Sequence, residues 1–164
     1  MLKHVESRDM NAKELDDYSS ISIKDYADEL IKAGLVSEEE ALPYSEKEFN
    51  KLLPKDGNTV DNCIYTMLDE DNNNVGMIWY KIRELFSEEV AFICDIRVNE
   101  NYRHMGYGRS ILRFFENEAK GKGVHKLGLN VFKHNTIATD LYESEGYTIQ
   151  MEADENMYMV KDIK

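Results

Sequence analysis

Residues 89–123 read EVAFICDIRVNENYRHMGYGRSILRFFENEAKGKG, and three kinds of local structure follow one another within them. The run EVAFICDIRV (89–98) is almost continuously apolar, as a central strand buried on both faces must be, with Asp95 the odd charge inside it. A polar loop, NENYRHMGYG, follows. A helix over residues 108–120 then turns Ile111, Leu112, Phe114 and Phe115 towards a core, and Gly121 and Gly123 end it. A strand, a glycine-bearing loop and a helix N-terminus in succession gather backbone N–H groups around a concavity, where the helix dipole favours an anion. A phosphate-bearing ligand fits there. The P-loop pattern GxxxxGK[ST] is absent, and so is the dinucleotide fingerprint GxGxxG, whose third glycine position holds Ile111.

Outward towards the C-terminus, KLGLNVF (126–132) reads as a strand, Asn135 as the cap of a helix over 136–145, and Gly146 as its stop. Strands over 147–152 and 157–163 follow, around a turn at Asp154, Glu155 and Asn156. Towards the N-terminus, NCIYTML (62–68) and VGMIWYKIREL (75–85) form a hairpin around DEDNNN (69–74). The first third is helical and acidic. Asn11 and Glu14 form a capping box for a helix that Gly34 stops; Ser37 and Glu40 form another, Pro43 interrupts it, and Ser45 to Glu48 restarts it. Residues 2–6 read as a short strand. The order β, α, α, β, β, β, α, β, α, β, β predicts an α/β fold with one mixed sheet and helices on its faces.

The length of 164 residues, without a linker or repeat, predicts one domain over 1–164. No apolar run approaches the roughly 18 residues of a membrane span, and no signal-like segment opens the chain. Cys63 and Cys94 lie in apolar strands without CxxC spacing, which predicts free thiols, no metal site and a cytoplasmic location. The formal net charge of −12 opposes nucleic acid and anionic membranes as partners. Eight basic and three acidic residues between Arg97 and His134 nevertheless make a local positive stretch, which suits an anionic ligand there and a cationic one elsewhere.

The segment from Val98 to Gly108 resembles the acetyl-coenzyme A loop of the GNAT superfamily of N-acetyltransferases, [RQ]-x-x-G-x-[GA], with Arg103, Gly106 and Gly108 at its defined positions. Asn135 to Tyr147 is similar to the family's second signature, N-x-x-A-x-x-[LF]-Y-x-x-x-G-[FY]. The resemblance implies a mostly antiparallel mixed sheet, flanked by helices on both faces and splayed between its fourth and fifth strands. It implies acetyl-CoA as cosubstrate and no metal. Backbone groups of Ile96, Arg97 and Val98 would hold the pantetheine arm. Amides of His104, Met105, Gly106, Tyr107, Gly108 and Arg109 would hold the pyrophosphate, with Arg103 at the head of the signature. Asn135 would touch the coenzyme arm, and Tyr142 would act as general acid to the departing thiolate. His104 and Met105 depart from the family, which often has a glycine and a basic residue there.

An amine attacking a thioester builds an oxyanion, the thiolate needs a proton, and the substrate ammonium must first lose one. Asp95 is the first candidate base, ahead of Glu84, Glu88 and Glu89; His125 and His134 are relay candidates. Trp79 and Tyr80 lie on the strand where the family often lines its acceptor cleft. The acceptor is expected to be a small-molecule or peptide amine, with a polyamine, an aminoglycoside or a peptide terminus favoured by the acidic body. The alternative is a CoA-binding regulatory module without turnover. An exposed strand edge or the N-terminal helices would allow a homodimer.

Overall fold

In the strand that carries Asp95, one side is paired along its whole length and the other is paired over only three residues. A computed structural model describes residues 2–164 and divides them into two compact units, residues 2–9 with 58–164 and residues 10–57. The larger unit holds a seven-stranded sheet of β1 (Glu6–Asp9), β2 (Asn62–Leu68), β3 (Asn74–Leu85), β4 (Glu88–Val98), β5 (Lys126–Phe132), β6 (Thr148–Glu152) and β7 (Asn156–Asp162), in the order β1-β2-β3-β4-β5-β7-β6. Every neighbouring pair is antiparallel except β4 and β5. That parallel pair joins only Ala91 to Leu127, Phe92 to Gly128 and Ile93 to Leu129, after which the strands part. The splay therefore lies between the fourth and fifth strands. The first strand spans Glu6–Asp9 rather than residues 2–6, and pairing with β2 begins at Glu6.

Two helices of this unit, labelled α3 (Tyr107–Gly121) and α4 (Thr136–Ser144) in chain order, share one hydrophobic core with one face of the sheet. Ile111, Leu112 and Phe115 of α3 meet Ile78, Tyr80, Ala91, Ile93, Leu127, Leu129 and Met159 there, all buried. Burying side chains of this size contributes about 1.5–3 kcal/mol each and holds α3 in place. Gly76 lets two backbones approach, and Gly128 makes room for side chains. A Cβ on Gly76 would stand 2.1 Å from Arg97 O, and one on Gly128 would meet Tyr158 and Val90 at 2.8–3.0 Å.

The smaller unit consists of α1 (Ala12–Lys32) and α2 (Glu38–Leu52). The capping box forms as the residues predict: Glu14 N–H donates to Asn11 Oδ1 at 2.8 Å and Asn11 N–H to Glu14 Oε1 at 3.0 Å. The expected break at Pro43 does not occur, because α2 runs through it from its Ser37 cap. Proline removes one backbone donor near the helix start, and tertiary packing outweighs that loss. Ser45 does not cap a restarted helix. It is buried and donates to Ile23 O of α1 at 2.7 Å, while Phe49 stacks edgewise on Tyr18 and Tyr26. Among the described residues no helix is long and apolar enough to cross a membrane.

Replacing Gly76 by alanine should cost about 3 kcal/mol or more, since the new methyl collides with backbone that cannot yield. Gly121→Ala, with nothing within 4 Å of the added carbon and a helical position, should be neutral or slightly stabilising. Urea unfolding of the two variants checks the contrast.

Candidate active site

Beyond Ile93 the backbone of β4 faces β3 on one side and the gap on the other. The register with β3 shifts between Trp79 and Tyr80, which pair with Asp95 and Ile93, so Cys94 is the extra residue of a bulge. Asn99 N–H donates to Val75 O at 2.8 Å, while Val98 stands opposite Gly76. Antiparallel alternation then turns the N–H and C=O of Ile96 and Val98 into the splay and those of Arg97 towards β3. The side chains of Ile96 and Val98 pack against the core. Asp95 is half-buried, and Arg97 Nε donates to its Oδ2 at 3.0 Å.

A short 3-10 turn at Glu100–Tyr102 carries the chain from β4 into the loop. Arg103 Nε donates to Val98 O at 3.0 Å, which ties the loop to the strand end. His104 adopts φ 63° and Gly106 φ 93°, the left-handed region. Glycine enters that region freely, whereas a histidine there is strained, so His104 occupies a glycine-type conformation without being glycine. Gly106 is the N-cap of α3, and no side chain caps the helix. The N–H groups of Tyr107, Gly108 and Arg109 therefore lack an intrahelical acceptor and a side-chain cap, the arrangement that receives an anion. Ser110 N–H is the first to turn back, to Gly106 O at 3.2 Å. A cavity of about 520 Å³ at this point is lined by Leu2, Met105, Gly106, Arg109 and Arg113. The exposed His104 and Met105 bring no fixed positive charge to it, so the anion-binding character rests on amides, the dipole and the arginines.

Asn135 caps α4, its Oδ1 accepting from Ala138 N–H at 3.3 Å. Seven residues on, Tyr142 is 8% exposed and lies edgewise on Tyr147 with ring centroids 5.9 Å apart. Burial pushes the Tyr142 phenol well above its ordinary range, and the negative charge of Asp95 pushes it further. Asp95 and Tyr142, expected together from the sequence, thus lie within electrostatic reach of each other.

Other expected residues serve the structure. Tyr80 has no exposed surface: it sits in the core, donates to Glu118 Oε2 at 3.4 Å and lies under Lys122 Nζ, 5.0 Å from its ring centre, so it lines no cleft. Trp79 is buried on the opposite face, its Nε1 donating to Asn62 Oδ1 at 2.7 Å. Glu84, Glu88 and Glu89 are exposed near the β3-β4 hairpin end, with Glu88 taken by Lys126 at 2.7 Å. His125 is exposed and His134 stacks on Phe132, 5.5 Å between ring centres.

Much of the positive stretch is likewise paired. Lys120 and Lys161 flank Glu116, at 3.4 and 2.8 Å. Arg109 Nη1 and Arg113 Nε meet the two oxygens of Glu145 at 2.7 and 2.9 Å. Arg113 and Glu145 were not singled out from the sequence. Their only signal was a pair of arginines spaced i, i+4 on one predicted helix and an acidic residue at the end of the next, and that pattern becomes meaningful only when α3 and α4 are adjacent.

A family model described as the acetyltransferase (GNAT) family matches residues 25–147. The chain belongs to this family. It is 33% identical over 138 residues to the uncharacterized N-acetyltransferase YycN of Bacillus subtilis (strain 168), covering 84% of this chain and 88% of that one. The crystal structure of YycN superposes with a TM-score of 0.84 at 30% identity over 92% of this chain and 96% of that one. The chain is also 30% identical over 111 residues to the ribosomal protein bS18-alanine N-acetyltransferase of Haemophilus ducreyi, covering 68% and 71%. A structure of the N-acetyltransferase PaiA of Thermoplasma acidophilum in complex with coenzyme A shares the fold, with a TM-score of 0.70 at 18% identity over 97% and 99%. The GNAT fold and N-acetyltransferase activity follow from these likenesses.

His104→Gly should relieve the strained φ and raise stability by about 0.5–1 kcal/mol in chemical denaturation. A pH effect follows from Tyr142 and Tyr147, whose phenols burial holds above the usual value of about 10. Their stabilisation is complete below that pH and is lost above it, because the unfolded chain then releases protons that the folded chain keeps. Unfolding free energy should fall above about pH 10, by about 1.4 kcal/mol per pH unit for each such tyrosine, and Tyr142→Phe should remove one tyrosine's share of the slope.

Proposed function

We propose that the protein transfers an acetyl group from acetyl-CoA directly to a primary amine, with residues 1–164 working as one domain in the cytoplasm and without a metal. The observation that carries this reading is a coincidence of place. The amides of Ile96 and Val98 turn into the gap where β4 leaves β5, and that gap adjoins a helix start whose N–H groups no side chain caps. The cradle fits a diphosphate followed by an extended amide-bearing arm. When bound, acetyl-CoA supplies the activated acyl carbon and a thiolate leaving group.

In this reading the amides from His104 to Arg109 hold the pyrophosphate, and Arg103, bound to Val98 O, braces the loop against the strand. Ile96 and Val98 align the arm through their backbone, whereas the N–H and C=O of Arg97, expected there from the resemblance, face β3 and leave it no part in holding the arm; Asn135 touches the arm from the exposed start of α4. Backbone N–H groups of the splay stabilise the oxyanion in a site from which water is largely excluded. Tyr142 keeps its proton through neutral pH because it is buried, and passes it to the thiolate as that charge forms. Asp95 takes the ammonium proton of the acceptor, and Arg97 holds its carboxylate in place. The acceptor is a cationic amine on a small molecule or peptide. The strongly acidic chain supports this by attracting cations, and the bS18-alanine N-acetyltransferase relative supports a peptide amine.

Calorimetry with acetyl-CoA, followed by thiol release over polyamines, aminoglycosides, amino acids and basic peptides, tests the reading. Tyr142→Phe should lower kcat about 100-fold while the acetyl-CoA Kd stays within about twofold. Gly106→Glu, which places bulk and negative charge against the amide cradle, should abolish coenzyme binding. Unchanged turnover in the first variant removes the acid role of Tyr142, and retained affinity in the second removes the loop assignment.

A further inference from the structure

The side chain of Glu145 is only 6% exposed, yet both its oxygens are occupied by arginines from a different helix. Both terminal nitrogens of Arg109 are engaged: Nη1 donates to Glu145 Oε2 and Nη2 to Ser144 Oγ at 3.3 Å. Arg113 is held only through Nε, at 2.9 Å from Glu145 Oε1, and its two terminal nitrogens take no partner among the described residues. Half of the Arg113 side chain is exposed, and it lines the cavity of about 520 Å³ at the start of α3. One carboxylate against two guanidiniums leaves a positive charge on that wall. Leu2 and Met105 give the cavity apolar walls on which a flat ring can rest.

We propose that Arg113 reads a terminal phosphomonoester of the acyl donor and that Glu145 is the positioning residue that aims it; this rests on the donor reading above. A guanidinium fixed at Nε presents both Nη groups in one plane, the fork that matches phosphate oxygens. A free arginine would lose several rotamers on binding, and the Glu145 bond removes that cost beforehand. Arg113 lies four residues beyond Arg109, about 6 Å along the helix, so its phosphate is not the diphosphate held on the first-turn amides. The charge on the cavity wall favours a dianionic monoester over a neutral end group. Donors that carry the monoester are thereby selected over those that lack it.

The test is calorimetric titration of acetyl-CoA and acetyl-3′-dephospho-CoA into wild type, Arg113→Gln and Glu145→Gln. Wild type should bind the phosphorylated donor about tenfold more tightly. Arg113→Gln should bring the two dissociation constants together while leaving that of the dephospho donor within about twofold of wild type. Glu145→Gln should keep about a threefold preference, since the fork remains but is less fixed. A variant that is merely destabilised weakens both donors alike, so the ratio reports recognition rather than folding. Equal binding of both donors by wild type, or an unchanged ratio in Arg113→Gln, overturns the proposal and leaves the donor reading intact. Binding of neither donor by wild type overturns the donor reading and the proposal with it. If inorganic phosphate raises the melting temperature of wild type but not of Arg113→Gln while wild type binds both donors alike, the subsite serves free phosphate and the donor-phosphate assignment falls.

Discussion

A buried strand must find partners for its backbone polar groups, and β4 finds them on both sides only as far as Ile93. From there to Val98 the β5 side of the strand has no protein ladder. Leaving amides unpaired in a half-buried cleft costs free energy, and a ligand with amide groups spaced along an extended arm can recover it. The rest of the site is arranged around this opening. The bulge at Cys94 sets which side chains face the core beyond it, Arg103 closes the loop back on Val98, and α3 begins where the strand ends.

The anion-binding end of the site is built from strain and omission rather than from charge. A side chain at the N-cap of α3 would satisfy the helix start and fill the place an anion needs; Gly106 does neither. Its left-handed φ and that of His104 turn the loop so that successive amides point the same way. The arginines nearby are committed first to Glu145, which fastens the helix that starts at the cradle to the helix that carries Tyr142. An ion pair whose acid is this deeply buried acts as a geometric tie more than as a source of stability.

The elements around residues 89–147 were legible in the sequence because local signals agree there: apolar runs of strand length, capping residues such as Asn135, and glycines at helix ends. Ser45 and Pro43 misled because capping and helix-breaking are local preferences, and the contact between α1 and α2, through Ile23 O and Phe49, outweighs them. Trp79 and Tyr80 share the strand where the family lines its acceptor cleft, and the sequence leaves open which of them packs in the core, as at least one neighbour in a strand must; Tyr80 does. The face it takes depends on pairing with Ile93 and on the bulge beside it, and a bulge at a residue as ordinary as Cys94 leaves no mark in the sequence. The basic stretch was visible, and so was Glu116, one helical turn before Lys120, but Glu88 and Glu145 meet it only in three dimensions.

The glycine at position 76 has a mechanical consequence. Because β3 lies so close to the carbonyl of Arg97, and pairs with β4 along its whole length, the two strands form a stiff plate. Across the gap, β5 is joined to that plate over three residues only, while it is fully paired to β7 and through it to β6. The sheet is therefore two unequal panels on a short hinge. A guest wider than the gap works against the fewest backbone hydrogen bonds on the side of β5, β7 and β6, where only the pairing at Ala91 to Ile93 ties the two panels through the ladder.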